Sequence, residues 1–180
     1  MARKIIGKGS YCTIYTSHNP HYVYLVGKTN QNQVKIAVLR YFGLIRKIHY
    51  VNDTVIAQVK KLDHWDNWTE EEKQEVLTLI PELDRIVDHW VNWTNHDPKN
   101  YLGSILGMLD DMISSSALPK NVRAVSSHLR EKINTNTIKV TRGIIDHRDT
   151  AYTHKPVHTG NWLRDSESRE LYPYDLFNFK

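Results

Sequence analysis

The sequence predicts an α+β protein, with a small antiparallel sheet and one helix over residues 1–62 and a mainly helical portion over 63–180. Two observations lead there. Up to residue 62, β-branched and aromatic residues alternate with polar ones between turn signals. From Thr69 onward, apolar residues recur at three- and four-residue spacing. A chain of 180 residues suits one domain, or two small lobes that share a core.

The elements follow in order. "KIIGKGSYCTIYTS" alternates around a glycine-containing turn, and "YVYLVGK" is rich in strand-forming residues. "QNQVKIAVLRYFGLI" breaks the alternation: Val34, Val38, Leu39 and Phe42 recur at helical spacing, and Gly43 is a stop signal. "IRKIHYVNDTVIAQVKKL" reads as two strands joined at Asn52-Asp53, with Val55 and Ala57 set against Ile56 and Gln58. Thr69 followed by Glu72 is a capping-box signature, and the acids of that first turn suit a helix N-terminus. Leu77, Ile80, Leu83 and Val87 continue the helix, with Pro81 set to kink or divide it. "NYLGSILGMLDDMISSSA" and "NVRAVSSHLREKINTNTIKVTRGIIDHRDTA" read as further helices separated by Pro119. After Ala151 the expectation is turns and short strands.

Composition narrows the class. No apolar run approaches the roughly 18 to 20 residues of a bilayer span. The basic start "MARKIIGKGSYC" lacks the apolar stretch of a signal peptide. Cys12 is the single cysteine, which excludes an internal disulfide and a cysteine-built zinc site. A cytoplasmic location without membrane association is expected. Charge is segregated: residues 1–52 hold eight Lys or Arg and no acid, while residues 53–111 hold thirteen acids and five Lys or Arg. Such a basic segment attracts nucleic acid, nucleotide phosphate or an acidic protein, or complements the acidic middle of its own chain. With no recognised nucleic-acid-binding module in the sequence, nucleic acid is the less favoured partner.

Several stretches bear on chemistry. In "GKGSYCTIY", Gly7 and Gly9 let backbone N–H groups of Gly7, Lys8, Gly9 and Ser10 approach a phosphate. "HTGNWL" and "YPYDLF" set Asn161 and Asp175 fourteen residues apart. "HWDNW" and "HWVNW" place Trp65 with Trp68 and Trp90 with Trp93, a spacing that suits core or interface packing. His147, His154 and His158 offer nitrogen ligands, although Pro156 argues against a helical pairing of the last two.

In this order the stretches resemble the protein-kinase-like fold, and in particular the early protein kinases encoded by lytic podophages. Those share a "GxGxxxxxY" loop and a "V-x-x-V-G" strand. "HTGNWL" is similar to the "HxGN" of the catalytic loop in aminoglycoside-kinase-like and phage kinases, and "YPYDLF" to the strand and metal-binding Asp that follow it. The likeness spans most of the chain, is best at its two ends and is weak through the helical middle. It implies a phosphate-covering hairpin from Gly7 to Tyr15, Asn161 and Asp175 as ligands of a Mg²⁺ that holds ATP, and His158 and Gly160 orienting the loop.

The departures are equally specific. The strand lysine that grips phosphates falls on Leu25, with Lys28 three residues later. Residues 29–52 contain no acid to pair with it, and the catalytic Asp falls on Pro156. Three of five working parts of phosphoryl transfer are therefore missing. After Asp175 five residues remain, too few for an activation segment or for helices that cradle a peptide. Asp149, in the triplet His147-Arg148-Asp149, is the alternative base, although it lies twelve residues before Asn161 where kinases have five.

The favoured expectation is a degenerate kinase-like protein that binds and inhibits or redirects a host protein, with Asn161 and Asp175 kept either for residual ATP and Mg²⁺ binding or as fold geometry. One alternative is an active minimal kinase or nucleotidyl transferase that uses Lys28 and Asp149. The other is a basic nucleic-acid-binding protein.

Overall fold

The structure is a computed structural model that describes residues 2–9, 11–140 and 161–177. It is α+β, and it divides into two compact units, Met1–Leu62 and Asp63–Phe179.

The first unit is a five-stranded antiparallel sheet with one helix. The strands are β1 (Ile5–Lys8), β2 (Cys12–Thr16), β3 (Tyr22–Lys28), β4 (Ile45–Val51) and β5 (Thr54–Lys60), in spatial order β1-β2-β3-β5-β4. Helix α1 (Thr29–Tyr41) connects β3 to β4. Strand parity gives the sheet two distinct faces. Cys12, Ile14, Leu25, Val55, Ala57 and Val59 share the face that α1 covers, and Leu25, opposite Ala57, is 1% exposed. The helix returns Val34, Val38 and Leu39 to that core.

Close approach is enforced at Gly27. A Cβ there would collide with the Tyr11 carbonyl and lie 2.5 Å from Asn32 Nδ2. The Asn32 amide donates to the carbonyls of Tyr11 (3.0 Å) and Lys28 (2.8 Å), tying the first hairpin to the start of α1. The helix ends as the sequence predicts. Gly43 adopts φ +69°, Gly43 N–H donates to Arg40 and Leu44 N–H to Leu39, and Leu39 and Leu44 are both buried. This is a Schellman closure with its apolar contact. Asn52, at φ +52°, turns the chain from β4 into β5.

The second unit is built on α2 (Glu70–Leu77), α3 (Ile80–His96), α4 (Tyr101–Ser114) and α5 (Lys120–Asn134), with a two-stranded ribbon, β6 (Leu163–Arg164) and β7 (Leu171–Tyr172). The Thr69/Glu72 capping box forms with both reciprocal bonds present. Pro81 sits in the first turn of α3, and of the two outcomes expected there, a kink or a division, the helix is divided. Leu77 is consequently 41% exposed, and Val76, Leu79, Leu83 and Ile86 form the buried stripe.

The helices α3, α4 and α5 bury Val87, Ile105, Leu109, Met112, Val122, Val125 and Leu129. Gly107 lets α4 close on α3: a Cβ there would collide with the Trp90 ring, whose indole N–H donates to Asp111 (2.7 Å). The last predicted helix is shorter than its sequence pattern. It stops at Asn134 because Asn136 takes the left-handed conformation, φ +58°, and the Asn136 and Thr137 N–H groups close back on Ile133 and Lys132. Among the described residues no helix is long and apolar enough to cross a membrane.

Candidate functional site

The glycine-containing hairpin forms as predicted, with Gly7 opposite Ile14, Lys8 opposite Thr13, and Gly9 N–H donating to the Cys12 carbonyl at 2.9 Å. A Cβ at Gly7 or Gly9 would meet its nearest neighbours at 3.7 Å, an ordinary contact, and neither residue has φ in the left-handed region. The fold itself therefore does not require glycine at either position. Gly7 lies in the cross-strand row of Ile14, Leu25 and Ala57 on the α1 face, and exposed Lys8 lies on the other. Ser10 lies outside the described residues.

Lys28 caps the start of α1 with extended backbone, φ −67° and ψ 134°, and is exposed. Three positions after Leu25, it has the opposite strand parity. Leu25 faces α1, and Lys28 is aligned with the opposite face. The first turn of α1 holds no acid.

Asn161 and Asp175 are brought together. The Asp175 N–H donates to the Asn161 carbonyl at 3.0 Å, and both residues are half-buried. The ribbon between them sets this juxtaposition, with Leu163 opposite Tyr172 and Arg164 opposite Leu171. Asp165 Oδ1 accepts from the N–H groups of Glu167 (2.8 Å) and Ser168 (3.0 Å), and Asp165 N–H donates to Glu170. Beyond β7, Tyr174 N–H returns to the Tyr172 carbonyl at 2.9 Å across Pro173, a tight reversal that carries the chain to Asp175. Asn161 Nδ2 is buried and, among the described residues, has no hydrogen-bond partner. A carboxylate and an amide oxygen are ligands that suit a hard cation which keeps several waters, and the backbone bond brings together the two residues that carry them. Among the described residues there is no grouping of three or more His, Cys, Asp or Glu suited to a metal ion. Asp149, His158, Gly160 and Pro156, with His147 and His154, lie outside the described residues.

The ribbon is anchored by a cluster that the sequence reading did not anticipate. Arg169 donates twice to Glu72 (2.8 and 2.7 Å) and once to Asp63 (2.7 Å). Arg164, 4% exposed, donates to Glu75 (2.5 Å) and to the carbonyls of Glu72 and Arg169, and stands 4.8 Å over the Trp68 ring. The Trp68 indole N–H donates to the Asp63 carbonyl, and Asp63 and Arg164 form a bridge. Arg169 and the Thr69 N–H hold the Glu72 carboxyl down to about 2. Burial, then the bond to Glu170, pushes the Tyr172 phenol up. The capping box was the only local sign of Glu72; its partner Arg169 lies 97 positions away.

No protein-family model matches the chain, and no curated protein sequence matches it at a significant level.

Proposed function

We propose that the chain is a kinase-like protein that has lost phosphotransfer, keeps a Mg²⁺–ATP site, and acts by binding a protein partner. In the phage setting implied by the resemblance, that partner is a host protein to be inhibited or redirected. The observation that carries the reading is the bond from Asp175 N–H to the Asn161 carbonyl. It brings the backbones of the two residues named by the resemblance together from positions fourteen apart. Two features agree with it. The sheet order β1-β2-β3-β5-β4, with a helix between β3 and β4, matches the segment order of a kinase-like N-lobe. The glycines at 7 and 9, which the fold does not demand, leave that hairpin's backbone open to a phosphate.

The loss of transfer rests on Leu25. A buried leucine occupies the position of the phosphate-gripping lysine, and Lys28 is aligned with the opposite sheet face. An active transferase built on Lys28 gains no support from that parity.

Melting of the purified protein with millimolar ATP, with and without Mg²⁺, tests the site. A ligand at about 100 times its Kd adds about 2.7 kcal/mol of stability. The expected result is a Mg²⁺-dependent rise that Asp175→Ala abolishes, with the unliganded melt of Asp175→Asn serving as the fold control. An undiminished rise in Asp175→Ala would falsify the metal assignment. Absence of any rise removes nucleotide from the reading.

A further inference from the structure

The face of the first sheet turned away from α1 has no helix of its own unit on it, and its composition is unlike that of an ordinary solvent face. Strand pairing puts Tyr15 directly beside Tyr24, with Tyr22 two residues along β3 from Tyr24. Cross-strand neighbours stand roughly 5 Å apart and same-face neighbours along a strand roughly 7 Å apart, so the three tyrosines rise from one contiguous stretch of the face. All three are half-buried. Val26 and Ile56 are paired beside them and extend the apolar surface.

The planar faces of these rings already receive planar cations. The Arg3 guanidinium lies 4.1 Å over Tyr24, and that of Arg46 lies 5.2 Å over Tyr22. Lys8, Lys28 and Lys47 have the same strand parity as the tyrosines and are exposed. No acid shares this face, and the sole acid of residues 1–62 is Asp53, in the β4–β5 turn.

We propose that this face binds single-stranded nucleic acid: bases take the ring faces of Tyr15, Tyr22 and Tyr24, displacing the Arg3 and Arg46 guanidiniums, which turn to the phosphates together with Lys8, Lys28 and Lys47. The chemistry selects that ligand. Aromatic rings on a sheet stack unpaired bases whatever their sequence, and interleaved cations follow the backbone. A duplex keeps its base faces inside and has nothing to offer the rings. An acidic protein surface would satisfy the cations, but it supplies no planar groups for three adjacent tyrosines. The sequence disfavours nucleic acid because it shows no known module; the pairing register is what collects the tyrosines and cations on one face.

The test uses the full chain and labelled single strands of oligo-dT and oligo-U of about 12 nucleotides, within the span of one such platform. Binding is followed by fluorescence anisotropy over a salt series. The expected affinity falls with salt, with a log–log slope of roughly −0.7 for each phosphate engaged. Tyr24→Leu loses about fivefold or more, the loss of one base stack, while Tyr24→Phe binds as the parent does. Arg46→Ala with Lys47→Ala weakens binding and flattens the slope. Arg40→Ala, an exposed cation on α1, leaves both unchanged.

Four results would each overturn the proposal. They are no binding at low salt, a duplex held as tightly as the single strand, equal losses in Arg40→Ala and the Arg46/Lys47 pair, and displacement of the oligonucleotide by polyglutamate at equal charge concentration. The last would assign the face to an acidic protein. The nucleotide melt is read on Asp175 and this titration on Tyr24, Arg46 and Lys47, so either can fail without the other.

Discussion

Arg169 occupies the left-handed region at φ +60°, where a residue with a Cβ is disfavoured by about 1 to 2 kcal/mol. Its guanidinium bonds to Glu72 and Asp63 hold it there. Two substitutions separate the backbone from the ion pairs. Arg169→Ala loses the pairs and keeps the strain, whereas Arg169→Gly loses the pairs and relieves it. Chemical denaturation is therefore expected to find Arg169→Gly more stable than Arg169→Ala by about 1 kcal/mol; equal stabilities would mean that the backbone stores no strain. Glu72 gives a pH signature. Its carboxyl is lowered from the ordinary 4.5 to about 2, so its contribution is complete above pH 4.5 and is lost as the pH falls from there toward 2. Glu82, held low by Arg85 and Ser115, loses its contribution over the same range. The comparison must therefore be with Glu72→Gln, whose melting temperature should fall less steeply between pH 4.5 and 2 than that of the parent.

At the scale of elements, signals that act within a few residues were legible in the sequence. Gly43 ended α1, Asn52-Asp53 turned β4 into β5, and Thr69 capped α2. The long helical pattern after Pro119 misled because apolar spacing persists past Asn136, whose left-handed backbone closes the helix. Leu77 misled for a similar reason, since the break before Pro81 resets the helical phase. Two element-level predictions follow from packing. Thr69→Ala removes a cap and should cost about 1 kcal/mol in denaturant unfolding. Gly107→Ala drives a methyl group into the Trp90 ring and should cost about 1 to 3 kcal/mol. The same variant should disturb the Trp90–Asp111 bond and shift the tryptophan fluorescence; unchanged emission and stability would show that α3 and α4 separate freely.

For the whole molecule, the segregation of charge was legible from composition, but its use was not. Residues 1–62 hold ten Lys or Arg against one acid, a net charge of +9. Self-repulsion of that size opposes compaction. Raising ionic strength from about 0.01 to 0.15 M shortens the screening length from about 30 to 8 Å. Amide protection in β2, β3 and β5 should then increase, and a decrease would mean that charge repulsion does not limit the sheet. Of the candidate site, two positions were singled out in the sequence, not their role. The resemblance picked out Asn161 and Asp175, and the fold joins them. The arginine cluster that anchors the ribbon was not legible, because Arg164–Glu75 and Arg169–Asp63 span 89 and 106 positions and leave no local periodicity.

The bond between Asp175 N–H and the Asn161 carbonyl also makes a clock. That amide is shielded from exchange with solvent only while the two residues stay together, so its exchange half-life times the opening of the candidate site without any ligand. Slowing of that one amide by Mg²⁺ would register a cation there even if no nucleotide binds.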